Sequence, residues 1–395
     1  MKLRRNTEQP RHNHNGLFKN MKFTTSRTLE ALIFLVFFVG FFAVLAWKMT
    51  LPNMLNTFMQ TAYHLLLETV FYIMAITVLT GAISKLLVEF GVVRLLENLL
   101  RPLMKPLYNL PGVAALGALM TFLSDNPAII SLSKDKNFSR YFKQFQLVSL
   151  TNFGTAFGMG LVVIAFMTGL GFGKGAVVGL LGAIIGSIVS TRLMQRFTLK
   201  AYPDMDMPLV DEGDEQQISF KSEGSGFMRF LNAILDGGKN GVDIGLAIIP
   251  GVLVISTVVM MLTFGPADGA SYTGVAYEGV PIIPWLADKV NFIFDWLFGF
   301  KSPELVSFPI TALGAVGAAL GLIPRFIASG IVDQNAIAVF TAMGMCWSGY
   351  LSTHTAMLDS MGYRKLIGKA IGAHTVGGLC AGVAAHWLFV LLSLI

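Results

Sequence analysis

The stretch GVAALGALMTFLSDNP, residues 112–127, decides how this chain is read. Residues 112–123 are apolar enough for a bilayer, but a helix needs roughly 20 residues to cross one. The run then stops at Ser124-Asp125-Asn126-Pro127, and a second short apolar stretch follows. Backbone that leaves the helix at membrane depth persists only where protein or a water-filled cavity supplies its hydrogen bonds. A helix pair that enters and leaves by the same side of the membrane fits this pattern.

The rest of the chain agrees with a membrane setting. Of 395 residues, 54% are apolar and 13% are charged, about half the charge density of a typical globular chain, roughly 25%. Mean hydropathy is +0.65. Too little polar surface remains for water to wet, so a soluble enzyme and a nucleic-acid binder are excluded despite the net charge of +6. Cys346 and Cys380 lie inside apolar runs and build no disulfide framework. With neither a Walker loop nor a His-Glu-x-x-His motif, no enzymatic activity is expected, and no cofactor.

Working outward, apolar runs of spanning length fall at 29–47, 62–90, 141–169, 173–192, 240–264, 333–358 and 366–394, about seven full spans. Two further segments carry a helical stripe instead. Val92, Leu96, Leu99, Leu103 and Leu107 oppose Arg94, Glu97, Arg101 and Lys105, and Leu286, Val290, Ile293 and Leu297 oppose Asp288, Lys289 and Asp295. Both predict helices lying in the membrane interface. The second is followed by 305–323, long enough to span but interrupted by Pro309, Gly314, Gly317 and Gly321.

Lysine and arginine collect on the cytoplasmic side of membrane proteins. With the N-terminus inside and both interrupted pieces re-entrant, only Lys48, Lys174, Lys289, Lys301 and Arg325 of the 29 basic residues fall outside. Letting either piece span would move Lys134, Lys136, Arg140 and Lys143, or Arg364, Lys365 and Lys369, to the wrong side. The expected architecture is therefore an all-α polytopic membrane protein with two interfacial helices and two re-entrant helix pairs. Residues 1–28 read as a basic cytoplasmic tail, 29–47 as an extra N-terminal transmembrane helix, and 193–239 as an acidic cytoplasmic linker. The order span, interfacial helix, re-entrant pair, Gly-rich span, span occurs at 62–192 and again, inverted, at 240–394. An offset of 197 pairs Pro127 with Pro324, Ser149 with Cys346 and Thr151 with Ser348. Inverted-topology repeats are the architecture of secondary transporters, whose sites lie near the midplane where discontinuous helices meet.

The helix ending in Glu89-Phe90-Gly91, the basic amphipathic stretch to Leu110-Pro111-Gly112, and the related copy from Gly241 resemble the nucleoside-recognition, or Gate-domain, membrane proteins. That group takes in spore maturation proteins, the permease part of ferrous iron transporters and, more distantly, concentrative nucleoside transporters. The resemblance implies that 62–192 and 240–394 are two Gate-type repeats of a transport fold in a bacterial inner membrane.

Ionisable groups inside a membrane are functional candidates because each costs about 2.5–3.5 kcal/mol at a helix centre. Asp125, with Asn126, sits at the break of the first re-entrant pair, either as a binding group or as a cap of the half-helix at Pro127. Thr151, Asn152 and Thr155 in one Gly-rich span, and Ser348, Ser352 and His354 in its counterpart, offer oxygens and an imidazole to a polar solute or to Na⁺, with close helix packing as the alternative. His64, Glu68 and Asp243 lie nearer the water boundary. Met343, Met345, Cys346, His354 and Met357 share one span but lack a metal-ligand spacing. The expected function is secondary transport of a small polar solute, which the resemblance implies is nucleoside-like, with Na⁺ or H⁺ as coupling ion. A non-transporting membrane assembly protein and a metal-ion permease are the alternatives; the expected partners are the bilayer, the solute and a second copy of the chain.

Overall fold

The computed structural model describes residues 25–206 and 224–394. Most of the basic tail and the middle of the acidic linker lie outside the described residues. Helix α1, Thr25–Met49, is apolar from Ala31 to Trp47, and that stretch is almost wholly exposed, as a lipid-facing span is. Thr50 turns the chain with φ of 66° before α2, Leu51–Glu89, which carries Pro52 in its first turn. At 39 residues α2 exceeds what a bilayer requires, and it contains a π turn at Leu65–Val70.

Gly91, with φ of 77°, turns α2 into α3, Val92–Leu103, which lies along the predicted amphipathic stripe. Leu95 and Leu99 are 70% exposed, the apolar edge that faces lipid. Two short helices follow, α4 Ala114–Leu123 and α5 Pro127–Lys134. Next comes a span in two pieces, α6 Gln144–Thr155 and α7 Gly160–Gly169, then α8 Gly173–Ala201.

The second half repeats the order. Helix α9, Gly226–Met261, also carries a π turn, at Gly251–Ser256. The second interfacial stretch is two helices, α10 Ile282–Asp288 and α11 Asn291–Phe298, where one was expected. Val290, at φ −127°, leaves the helical region between them. Then come α12 Ser307–Gly314 and α13 Val316–Ala328, the split span α14 Gln334–Cys346 and α15 Tyr350–Ser360, and α16 Ile367–Ser393. Six described helices are long and apolar enough to cross a membrane. The seventh expected span, 333–358, is the α14–α15 pair, broken at Trp347–Gly349.

Both interrupted pieces re-enter. Gln146 Nε2, past the first hairpin, donates to the Asn109 carbonyl before it at 2.7 Å. Asn335 Nδ2, past the second, donates to the Phe298 carbonyl before it at 2.9 Å. Each hairpin therefore begins and ends at one end of the bundle, which resolves 305–323 as re-entrant. The ends themselves are opposite. Lys143 pairs with Asp206 and Arg229 with Glu89 at one end, whereas Asn53 bonds Tyr272 and Gln334 bonds Gly175 at the other.

Gln144 and Gln334 start equivalent helices, as do Gly160 and Tyr350. Both pairs are 190 residues apart, so the offset of 197 read from the sequence is seven residues, about two helical turns, out of register. It matched small polar residues that recur in any Gly-rich span. The true equivalents at the breaks are Met159 and Gly349, with φ of 53° and 59°. The repeats are joined through their first helices, where α2 and α9 cross on Gly81, Gly237, Gly241 and Gly245. Thr77 Oγ1 donates to the Gly241 carbonyl across this seam at 2.7 Å, the small-residue packing that membrane helices favour.

Candidate functional site

A glycine face on α6 and α7 seats the first hairpin. A side chain at Gly154 would run into Ile129, one at Gly158 into Asn126, and one at Gly160 into Phe122. The Gly-rich stretch singled out in the sequence thus acts chiefly by letting the hairpin approach, and its break falls at Ala156–Met159, after the helical Thr151 to Thr155. This approach carries the hairpin tip to the middle of the molecule.

There the tip meets the second repeat. Asn126 is 5% exposed, and its Nδ2 donates to the carbonyl of Ser348 at the α14–α15 break. A carbonyl can only accept, so the amide's orientation is set by this bond. Asn126 Oδ1 and Asp125 Oδ1 are buried without a hydrogen-bond partner, and α5 has no side-chain N-cap bond. The N-cap Asn126 thus leaves the half-helix uncapped by its own side chain, and the Asp125 carboxylate takes a backbone N–H from Asn126 while its Oδ1 stays free.

Around this contact lies a cavity of about 610 Å³. Both hairpin breaks line it, through Asp125 to Pro127 and Ala315 to Gly317, as do both helix breaks, through Met159 and Ser348-Gly349. Helix α9 supplies Asp243 and an aliphatic wall of Ile244, Ala247 and Ile248, and α15 supplies Ser352, Thr353 and Ala356. The volume is that of a small-molecule pocket, about 300–1,000 Å³.

Of the residues proposed from sequence, the structure gathers Asp125, Asn126, Ser348 and Ser352 on this cavity. Thr151, Asn152, Thr155 and His354 lie behind it in the packed core, each fully buried. Thr155 Oγ1 bonds its own helix at the Thr151 carbonyl, 2.7 Å away. Asn152 Nδ2 donates to Ser190 Oγ and to the Ala370 carbonyl, both at 3.0 Å. His374 Nε2 bonds the Cys346 carbonyl and so carries the proton, leaving Nδ1 to accept from Ser190 Oγ at 2.9 Å. The chain Asn152, Ser190, His374, Cys346 thereby ties α6, α8 and α16 to the last residue of α14, next to the break. His354 stacks edge-on to His374 with ring centroids 4.6 Å apart, and neither of its ring nitrogens has a hydrogen-bond partner. His64 bonds Glu68 at 2.9 Å on the outer surface, remote from the cavity lining.

Sequence reasoning noticed Asp243 only as a charge at the start of a span, and it missed Met159 and Ala315. Asp243 had a signal, an isolated carboxylate within an apolar run. Met159 and Ala315 had none, since a methionine in the left-handed region and an alanine at a hairpin tip are set by tertiary packing.

Residues 70–171 match the Gate family model, described as nucleoside recognition. An uncharacterized protein of Alkalihalophilus pseudofirmus is 25% identical over 290 residues, 69% of this chain, and the chain spans 57% of that relative's length. Solved structures add the decisive likeness. The concentrative nucleoside transporter CNTnw, as a doubly substituted form in an outward-facing state, superposes with a TM-score of 0.54 over 84% of this chain and 80% of its own, at 12% identity. Its inward-facing substrate-bound state gives 0.52 over 82% and 80%, also at 12% identity. The fold is that of a concentrative nucleoside transporter. At this identity the likeness speaks for the fold alone. Together with the Gate match over residues 70–171, it describes a multi-pass membrane protein of nucleoside-transporter-like fold.

Proposed function

We propose that the chain is a secondary transporter that carries a small polar, nucleoside-like solute across a bacterial inner membrane, driven by Na⁺ or H⁺. One observation carries this reading: a single cavity lined by the hairpin tip and the helix break of both inverted repeats. Broken helices present backbone and hydroxyl groups there without leaving them in lipid, and rocking of one repeat against the other exposes such a cavity to each side in turn. Asp125, Asn126, Ser348 and Ser352 would hold the solute. The distribution of basic residues supports a cytoplasmic N-terminus. The test is uptake of labelled uridine and adenosine into proteoliposomes under an imposed Na⁺ or proton gradient. Gradient-driven accumulation that collapses with an ionophore supports the reading. Absence of uptake, together with co-purification of a stoichiometric partner, would favour an assembly role instead.

A further inference from the structure

The cavity presents two carboxylates, Asp125 from the first hairpin and Asp243 from α9, and among the described residues no lysine, arginine or histidine lines it. Neither carboxylate forms an ion pair among the described residues. Asp125 is half-buried at the hairpin tip, and Asp243, expected near the water boundary, stands exposed midway along α9; a carboxylate left unpaired within a membrane is costly. Beside them the buried amide oxygen of Asn126 and Asp125 Oδ1 have no donor, so this part of the wall presents unmatched acceptors, while Ser348, Ser352 and Thr353 add hydroxyls to the lining. Its remaining surface is aliphatic: Ile130, Met159, Ile244, Ile248 and Val316.

We propose that this cavity takes an organic cation, a solute with an apolar or aromatic body and a positively charged nitrogen held between Asp125 and Asp243. The proposal rests on the transport reading and narrows its solute. A positive group restores charge balance and satisfies the orphan oxygens, and the body covers the aliphatic wall. Anionic solutes meet two like charges. A bare metal ion suits the site poorly: about 610 Å³ is far larger than an ion, and no cluster of three His, Cys, Asp or Glu side chains exists among the described residues.

Thermal stabilisation of the full chain in detergent tests this with three probes of one shape and different charge: phenethylamine, phenylethanol and phenylacetate, with adenosine and MnCl₂ as further arms. The amine should stabilise the protein and bind about tenfold or more tightly than the alcohol, and the acid should not bind. Asp125→Asn and Asp243→Asn should each weaken the amine about tenfold. Ala247→Phe, which fills the cavity from its exposed wall, should remove amine binding and serves if an Asn variant fails to fold. Equal binding of amine and alcohol, amine binding unchanged in the variants, or a response to Mn²⁺ without one to the amine would overturn the proposal. A response to adenosine but not to the amine overturns the charge requirement and leaves nucleoside transport standing. No response to any probe overturns both.

Discussion

Asn126 and Ser348 are 222 residues apart in sequence, yet the amide of the first, at a hairpin tip, donates to the carbonyl of the second, at a helix break. This bond joins the two inverted repeats at the cavity wall. Any motion that opens the cavity by separating the hairpin from α14 and α15 must break or carry it.

Asn126→Ala removes that link. A net loss of about 1 kcal/mol in stability is expected, the ordinary worth of one hydrogen bond, read as a lowered melting temperature in detergent. Asn126→Asp, which cannot donate when ionised, should lose at least as much. An unchanged melt in both would show that the repeats are not held together here.

Gly349 has φ of 59°, and a Cβ there would lie no nearer than 3.5 Å to Asn126 Nδ2. Space is available, so Gly349→Ala should cost only the left-handed backbone penalty, about 1–2 kcal/mol. Circular-dichroism melts would measure it, and a cost well beyond that range would mean the break repacks.

At Gly241 a Cβ would sit 2.5 Å from the Val78 Cα, which is backbone and cannot step aside. Gly241→Ala should therefore spread α2 from α9 and destabilise by about 1–3 kcal/mol. Gly372, with nothing within 4 Å, should accept Ala without loss, and a similar effect of both substitutions would argue against the close seam.

Asn152→Ala and Ser352→Ala should act on different properties. Asn152 is buried in hydrogen bonds to Ser190 and Ala370, so its loss should lower stability by about 1–3 kcal/mol and change ligand affinity little. Ser352 lies on the cavity and should do the reverse. Their effects on ligand affinity should add, as those of residues without a shared partner do. A coupling above about 0.5 kcal/mol would place Asn152 at the ligand after all.

Single cysteines introduced at 137 and 272 should be labelled from opposite sides of the membrane, 137 from the cytoplasm, in a background lacking Cys346 and Cys380. Lys143 and Tyr272 lie at opposite ends of the bundle, and the bias of basic residues predicts that the first end is cytoplasmic. Labelling of both from one side would contradict the paired re-entrant hairpins.

Composition and charge placement alone determined that the chain is a membrane protein with two re-entrant pieces in an inverted order. Those properties are fixed by length against bilayer thickness and by the distribution of Lys and Arg, both of which are written residue by residue. The position of Asp125 and Asn126 at a hairpin break was legible for the same reason, because polar groups between two short apolar runs have few places to go. Only the tertiary structure decided the register of the repeats, since the 190-residue spacing is set by which turns leave the helix at Met159 and Gly349 and not by residue identity. It alone separated Ser352, on the cavity, from His354, two residues away and fully buried. Two residues along a helix is about 200° of rotation, so neighbours in sequence face the cavity and the core, and only packing says which is which.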